Sequence, residues 1–354
     1  MRRHPRTTVI ACIACTAVLA LTAGLGGCAA DESVTVSREA LGTVVTITAY
    51  GDDEAQVTAA IDGAFAAIAA VEAGLDAYDP GSAVSAFNQT PYEERDLPAD
   101  ALAVLDAVGR LGVGDAFSSA LLGVVRQYSF DSSGTVPDAA RLAWAVEAAA
   151  SFQRVGDGGR FAEETLSIPA CDVESYPGLD FGGAAKGLAL DRAREALRES
   201  GGVAAAIITA GSTTVTLGTK PDGGVWRIGV EDPRDTGRVV AVFALEGEGA
   251  LSTSGDYQRY FEADGVRYHH ILDPASGAPA YGLRSLTVAG TSLSGLDSDI
   301  LSTALFVRGE TDALRYASAH GCALYLVDGE GRARIAPAPD GSGVTVAEEA
   351  APRR

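Results

Sequence analysis

Lysine is almost absent from this 354-residue chain: apart from Lys186 and Lys220 the basic side chains are arginine. Histidine is nearly as scarce, at His4, His269, His270 and His320. The five cysteines, at 12, 15, 28, 171 and 322, are too few and too scattered for a disulfide framework or a zinc cluster. Three of them fall within the first 28 residues, which leaves one possible bridge in the rest of the chain, Cys171–Cys322. Positive charge is also short, with a formal net charge of −20. So acidic a chain has little attraction for phosphate backbones, which argues against nucleic acid as a partner, and no polybasic grip on anionic lipid. Beyond the N-terminal segment no run reads as long and apolar enough to span a bilayer, and no repeat appears between Val34 and Val346. What is present is hydrophobic material, 47% of residues, enough for a large core.

The first 28 residues stand apart. Arg2, Arg3 and Arg6 precede an apolar run from Thr8 to about Leu25, and Leu25-Gly26-Gly27-Cys28 closes it. Basic, apolar and small-residue regions in that order are the pattern of a secretory signal. A spanning anchor helix would need about 20 apolar residues, and Gly24, Gly26 and Gly27 interrupt this one. The close resembles a bacterial lipobox, in which the cysteine is acylated and becomes the new N-terminus. The expectation is a lipoprotein held at Cys28 to the extracytoplasmic face of the cell membrane, with residues 29–33 as a tether, residues 34–335 as one domain and a disordered tail over 336–354.

Within the domain, Val44–Tyr50 alternates as a strand, and Gly51-Asp52-Asp53 leads into a helix with Val57, Ile61, Phe65, Ile68 and Leu75 at helical spacing. Further helices are expected from about Pro98 to Leu111 and from Pro137 to Ala150, each opened by proline. Another runs from Ala184 to about Glu199, closed by Gly201-Gly202, and one from near Asp299 to Gly309. Ala204–Leu217, Val225–Val230 and Val239–Leu245 read as strands, and Asp264-Gly265 and Asp328-Gly329 signal hairpins. Helices and strands mix without regular alternation, which predicts an α+β fold with mainly antiparallel sheet.

Four segments could carry chemistry. Leu179-Asp180-Phe181-Gly182-Gly183-Ala184-Ala185-Lys186-Gly187 runs from paired glycines into a helix. There the backbone can approach a ligand, N–H groups meet an anion, and Lys186 adds a full charge; glycine before a helix is also common packing. Leu251-Ser252-Thr253-Ser254-Gly255-Asp256-Tyr257 reads as a hydroxyl-rich turn before a strand. In Tyr268-His269-His270-Ile271-Leu272-Asp273-Pro274, adjacent histidines on a strand face opposite ways, so one is functional and the other packed or exposed. In Asp297-Ser298-Asp299-Ile300-Leu301-Ser302-Thr303, Asp299 and Thr303 lie at i and i+4 on one helical face. A carboxylate and a hydroxyl together suit Mg²⁺; an N-cap beside a buried threonine would look the same.

The order and wording of these segments resemble the FAD:protein FMN transferase, or ApbE, family. Leu41-Gly42-Thr43, Tyr78-Asp79-Pro80-Gly81-Ser82 with Ser85 and Asn88, Gly218-Thr219-Lys220-Pro221-Asp222-Gly223 with Trp226, and Asp232-Pro233-Arg234 extend the likeness over about residues 33–327. The resemblance implies Mg²⁺-dependent transfer of the FMN half of FAD to a threonine or serine hydroxyl of an exported acceptor protein of an electron-transfer system, releasing AMP. It implies His270 as base; Asp299, Thr303 and the Gly183 carbonyl as metal ligands; and Lys186 with its helix N–H groups at the diphosphate. Leu41 and Tyr78 would pack on the rings, and Asp180 and the Ile271 backbone would make polar contacts.

Two stretches depart from the family pattern. Where it has Phe-Asp-Pro-Thr near the nucleotide, this chain has Ala116-Phe117-Ser118-Ser119-Ala120, so Ala116, Phe117 and Ser118 are the cofactor-contacting candidates there. Where it has Gly-Gly followed by Asn or Asp, the chain reads Gly211-Ser212-Thr213. The resemblance also admits a hydrolase that splits FAD to FMN and AMP when water replaces the acceptor hydroxyl, and Ser118, Ala120 and Ser212 leave open a non-catalytic FAD-binding lipoprotein. A generic solute-binding lipoprotein would not need the Asp299/Thr303 pair.

Overall fold

The computed structural model describes residues 33–130, 134–162 and 177–353. The signal segment, Cys28, the tether up to residue 32 and Cys171 lie outside the described residues. The chain opens as a hairpin of β1 (Ser33–Ala40) and β2 (Thr43–Tyr50), then forms α1 (Glu54–Leu75), α2 (Ala83–Asn88), β3 (Arg95–Asp96), α3 (Ala99–Leu111), α4 (Leu122–Tyr128) and α5 (Ala139–Ala150). After β4 (Phe152–Val155), β5 (Gly158–Phe161) and α6 (Ala185–Glu199) come β6 (Ala205–Ala210), β7 (Thr213–Leu217), β8 (Trp226–Asp232), β9 (Asp235–Leu245) and β10 (Gly249–Gly255). Then follow β11 (Tyr260–Ala263), β12 (Val266–His269), β13 (Leu283–Gly290), α7 (Gly295–Arg308), α8 (Glu310–His320), β14 (Ala323–Asp328), β15 (Ala333–Ala336) and β16 (Val344–Glu348).

The main sheet has eight strands in the order β1-β2-β6-β7-β10-β13-β14-β15, and its neighbours all pair antiparallel. Strand periodicity explains its layering. Along β14, Leu324 and Leu326 join the larger core under the helices, while Ala323, Tyr325 and Val327 join a second core with Trp226 and Phe243 under the sheet β16-β9-β8. The central strands are therefore buried on both faces, and the α+β, mainly antiparallel expectation matches the observed architecture.

Asp53 caps α1 by accepting from the Ala55 and Gln56 N–H groups. This helix is 22 residues long and apolar enough by composition to cross a membrane, contrary to the expectation of no such segment. It buries Val57, Ile61, Phe65, Ile68 and Leu75 in the core instead. Both hairpins signalled by Asp-Gly form, β11–β12 and β14–β15. The run expected as one strand over 204–217 is broken at Gly211, whose φ of +55° favours glycine, into the paired strands β6 and β7.

Three expectations are corrected. α7 begins at Gly295 with Ser294 as its N-cap, so neither Asp297 nor Asp299 caps it and Asp299 lies in the second turn. Leu251–Gly255 is a wholly buried part of β10 rather than a polar turn. The tail past Ala336 is ordered: Val344–Glu348 pairs with Leu245–Ala241 of β9. Val344 and Val346 pack on the second core, an alternation too short to stand out in a Pro/Gly/Ala-rich stretch.

Candidate active site

The site forms where α6 and α7 begin, against one end of the main sheet. The two helices approach at glycines, since a Cβ on Gly187 would lie 2.1 Å from the Gly295 carbonyl oxygen. Asp191, two turns into α6, accepts the Gly295 and Leu296 N–H groups at 2.8 and 2.9 Å and so caps α7. Burial raises the Asp191 carboxyl from its usual range, opposed by Arg194 and the two N–H donors.

This seam delivers Asp299, 5% exposed, to the first turn of α6. Its Oδ2 accepts the Gly187 N–H at 2.9 Å and lies 3.8 Å from Lys186 Nζ, and its Oδ1 accepts from Thr213 Oγ1 at 3.1 Å. One turn on, Thr303 Oγ1 lies 3.1 Å from Ser254 Oγ, which also meets Ser302 Oγ at 3.0 Å. The helix N-terminus is less open to an anion than its sequence suggests. The Ala184 and Ala185 N–H groups both go to the Phe181 carbonyl and that of Gly187 goes to Asp299, so Lys186 supplies the positive charge.

The Gly182-Gly183 turn carries the second group of candidates. Asp180 Oδ1 accepts the Gly182 N–H at 2.8 Å, its own N–H donates to the Ser119 carbonyl, and the Tyr78 hydroxyl donates to Asp180 Oδ2 at 3.3 Å. Tyr78 is otherwise exposed, at 52%. A Cβ on Gly183 would meet the Phe117 ring at 3.1 Å, so Phe117 backs the turn. Ala116 is buried beside it. Ser118 Oγ accepts the Ala120 N–H at 3.2 Å and holds its own loop. Leu41 occupies the β1–β2 turn at φ +55°, its N–H bound to Glu72 Oε1; the neighbouring Thr43 approaches Gly211.

His269 closes β12 and His270 is the first residue beyond it, and their rings go to different surroundings. His269 is buried between Tyr281 and Phe306, ring centroids 5.8 and 5.7 Å away. His270 is half-buried, with Nδ1 3.2 Å from the Arg259 carbonyl. A carbonyl only accepts, so Nδ1 carries the proton of the neutral ring and Nε2 keeps its lone pair. Desolvation, then the charges of Arg259 and Lys186, press the His270 pKa down to about 3. Of the Ile271 backbone, expected to contact cofactor, the carbonyl accepts the Ala280 N–H at 2.9 Å.

Neither Ser252, in its hydroxyl-rich segment, nor Thr213, at a departure from the family pattern, has a role assigned from sequence, and the capping role of Asp191 has no sign there. Asp191 stands four residues past Gly187, one helical turn on along α6.

Among the described residues no three His, Cys, Asp or Glu side chains cluster as a metal site. One carboxylate, a neighbouring hydroxyl and a nearby backbone turn do suit Mg²⁺, which keeps several waters and takes its other ligands from substrate phosphates. The donor set therefore fits that ion. Fold and site together bring a carboxylate, hydroxyls and a lysine to one seam, Asp299, Thr213, Thr303 and Lys186, with the Lys186 charge also acting on the His270 ring.

Residues 41–326 match the ApbE family, and the chain belongs to it. It is 30% identical over 328 residues to the FAD:protein FMN transferase of Treponema pallidum, covering 86% of this chain and 85% of that protein. A shorter match, 42% identical over 146 residues, is to the FAD:protein FMN transferase of Rhodobacter capsulatus, covering 40% of this chain and 26% of the relative. A third, to that of Klebsiella pneumoniae, spans 45% of the relative. Among solved structures, the ApbE protein of Thermotoga maritima superposes with a TM-score of 0.74 at 27% identity, covering 86% of this chain and 96% of that one. The apo flavinyl transferase ApbE of Pseudomonas stutzeri gives 0.68 at 26% identity, covering 90% and 95%.

Proposed function

We propose that the protein is an FAD:protein FMN transferase that moves FMN from FAD to a Thr or Ser hydroxyl of an acceptor protein, with Mg²⁺, releasing AMP. The observation that carries this reading is the meeting of Asp299, Thr303 and Lys186 at the α6–α7 seam. Asp299, Thr303 and the Gly183 carbonyl would hold the ion, which when bound neutralises diphosphate charge and polarises a phosphoryl oxygen. Lys186 adds a second positive charge at the same place. Tyr78 offers an exposed aromatic surface to a ring, fixed through its hydroxyl to Asp180.

The bond that forms joins the acceptor oxygen to the FMN phosphorus; the bond that breaks is the diphosphate bridge, and AMP takes its electrons. The acceptor proton goes to His270 Nε2. Burial holds that ring neutral and ready to accept, and a bound anionic diphosphate opposes the Arg259 and Lys186 charges that lower its pKa. The lipobox-like Leu25–Cys28 segment supports placing this chemistry at the outer membrane surface through acyl chains on Cys28, within reach of exported electron-transfer proteins.

Mature protein incubated with FAD, Mg²⁺ and an acceptor domain should give covalent flavin on the acceptor, and Asp299→Ala should remove it. Undiminished labelling by Asp299→Ala sinks the proposal. Free FMN and AMP without labelled acceptor would favour hydrolysis.

A further inference from the structure

We propose that Thr213 is a positioning residue for the cation site, aiming Asp299 through its hydroxyl. The inference rests on the reading of Asp299 as a metal ligand. Thr213 opens β7 directly after the Gly211-Ser212 turn, where the family pattern has Asn or Asp. Its backbone is fixed on both sides, opposite Ala210 of β6 and Ser252 of β10. Alternation along β7 turns Thr213 and Val215 toward α7, where Val215 packs near Gly295. Thr213 has no exposed surface, and its Oγ1 reaches Asp299 Oδ1 at 3.1 Å.

The direction of that bond follows from chemistry. A carboxylate accepts, so Thr213 donates its only hydroxyl proton to Asp299. Ser252 Oγ, 3.4 Å away, donates to the oxygen of Thr213 or pairs with Ser298 Oγ at 2.8 Å. Gly187 N–H fixes the other carboxylate oxygen from the opposite side. Asp299 is thus held at both oxygens, one by the helix and one by the sheet, with its remaining lone pairs available to a cation. A ligand gripped in this way keeps its orientation before metal arrives, and removing such a support typically weakens metal binding about 10–100-fold.

The experiment compares wild type with Thr213→Val, Thr213→Ser, Ser252→Ala and Asp299→Ala. Mn²⁺ serves as the probe, its free concentration followed by paramagnetic resonance in the presence of FAD without acceptor; urea midpoints are recorded without metal. Valine keeps the shape and strand preference of threonine and lacks only the donor. Thr213→Val should weaken Mn²⁺ binding about tenfold, whereas Thr213→Ser should stay within about twofold because it restores the donor. Ser252→Ala leaves the Thr213–Asp299 bond in place and should change binding less than Thr213→Val. Wild-type affinity in Thr213→Val, or equal losses in the Val and Ser variants, would overturn the proposal. If the Val variant does not fold, Thr213→Ala against Thr213→Ser gives the same decision. Wild-type Mn²⁺ binding by Asp299→Ala would instead refute the metal-site reading itself.

Discussion

Replacing His269 with phenylalanine should make the protein less stable at neutral pH and more stable in mild acid. His269 is 1% exposed, and its Nδ1 has no hydrogen-bond partner. Burial lowers its pKa from 6.5 to about 4, against the raising effects of Asp256 and a hydrogen bond to the Ala280 backbone. Because the folded-state pKa lies below the unfolded one, the unfolded chain binds a proton first as pH falls. The stability associated with neutral His269 is fully present above pH 6.5 and is lost progressively down to about pH 4. The lowering corresponds to about 3 kcal/mol at pH 4. Phenylalanine fits between Tyr281 and Phe306 but forfeits the Ala280 bond, a cost of about 1 kcal/mol. The variant should therefore trail wild type at pH 7.5, and the two stabilities should cross at about pH 6. Urea denaturation of both proteins from pH 7.5 to 4.5 tests this, with the other titrating groups common to both cancelling in the difference. Parallel stability curves would refute the reasoning.

Two further outcomes follow from the packing. Gly187→Ala puts a methyl against backbone, 2.1 Å from the Gly295 oxygen, so it should cost about 1–3 kcal/mol or more and should depress acceptor labelling in the fraction that still folds. Truncation after Glu348 removes the Arg353 N–H from the fully buried Asp232 and the Ala351 carbonyl from Arg238. It should lower the urea midpoint by the equivalent of about 1–3 kcal/mol with the slope unchanged, while labelling at neutral pH and low denaturant persists.

The elements visible in the sequence are those whose signals are local. Asp53 before α1, Pro98 before α3 and the Asp-Gly pairs of the two hairpins each act within a few residues. The pairing of Asp299 with Thr303 is also local, because one helical turn brings them onto one face. Where the reading went astray, burial had changed the meaning of residues. Ser252, Thr253 and Ser254 look like a polar loop, yet in β10 each hydroxyl finds another: Ser298, Thr287 or Ser302 and Thr303. A strand buried on both faces can carry hydroxyls only if they are paired, and the partners sit 34 to 49 residues away.

The site depends on such distant pairings more than on its motifs. Lys186 and Asp299 each belong to a recognisable segment, but what brings them to 3.8 Å is the approach of Gly187 to Gly295 and the capping of α7 by Asp191. The same contact diverts the Gly187 N–H from any bound anion to Asp299, 112 positions away. A glycine next to a helix suggests anion binding when read alone. In this fold it holds a carboxylate, and the positive charge beside that carboxylate is the Lys186 side chain. If Asp299 takes a cation as proposed, metal and diphosphate binding should reinforce one another, each supplying the charge the other needs.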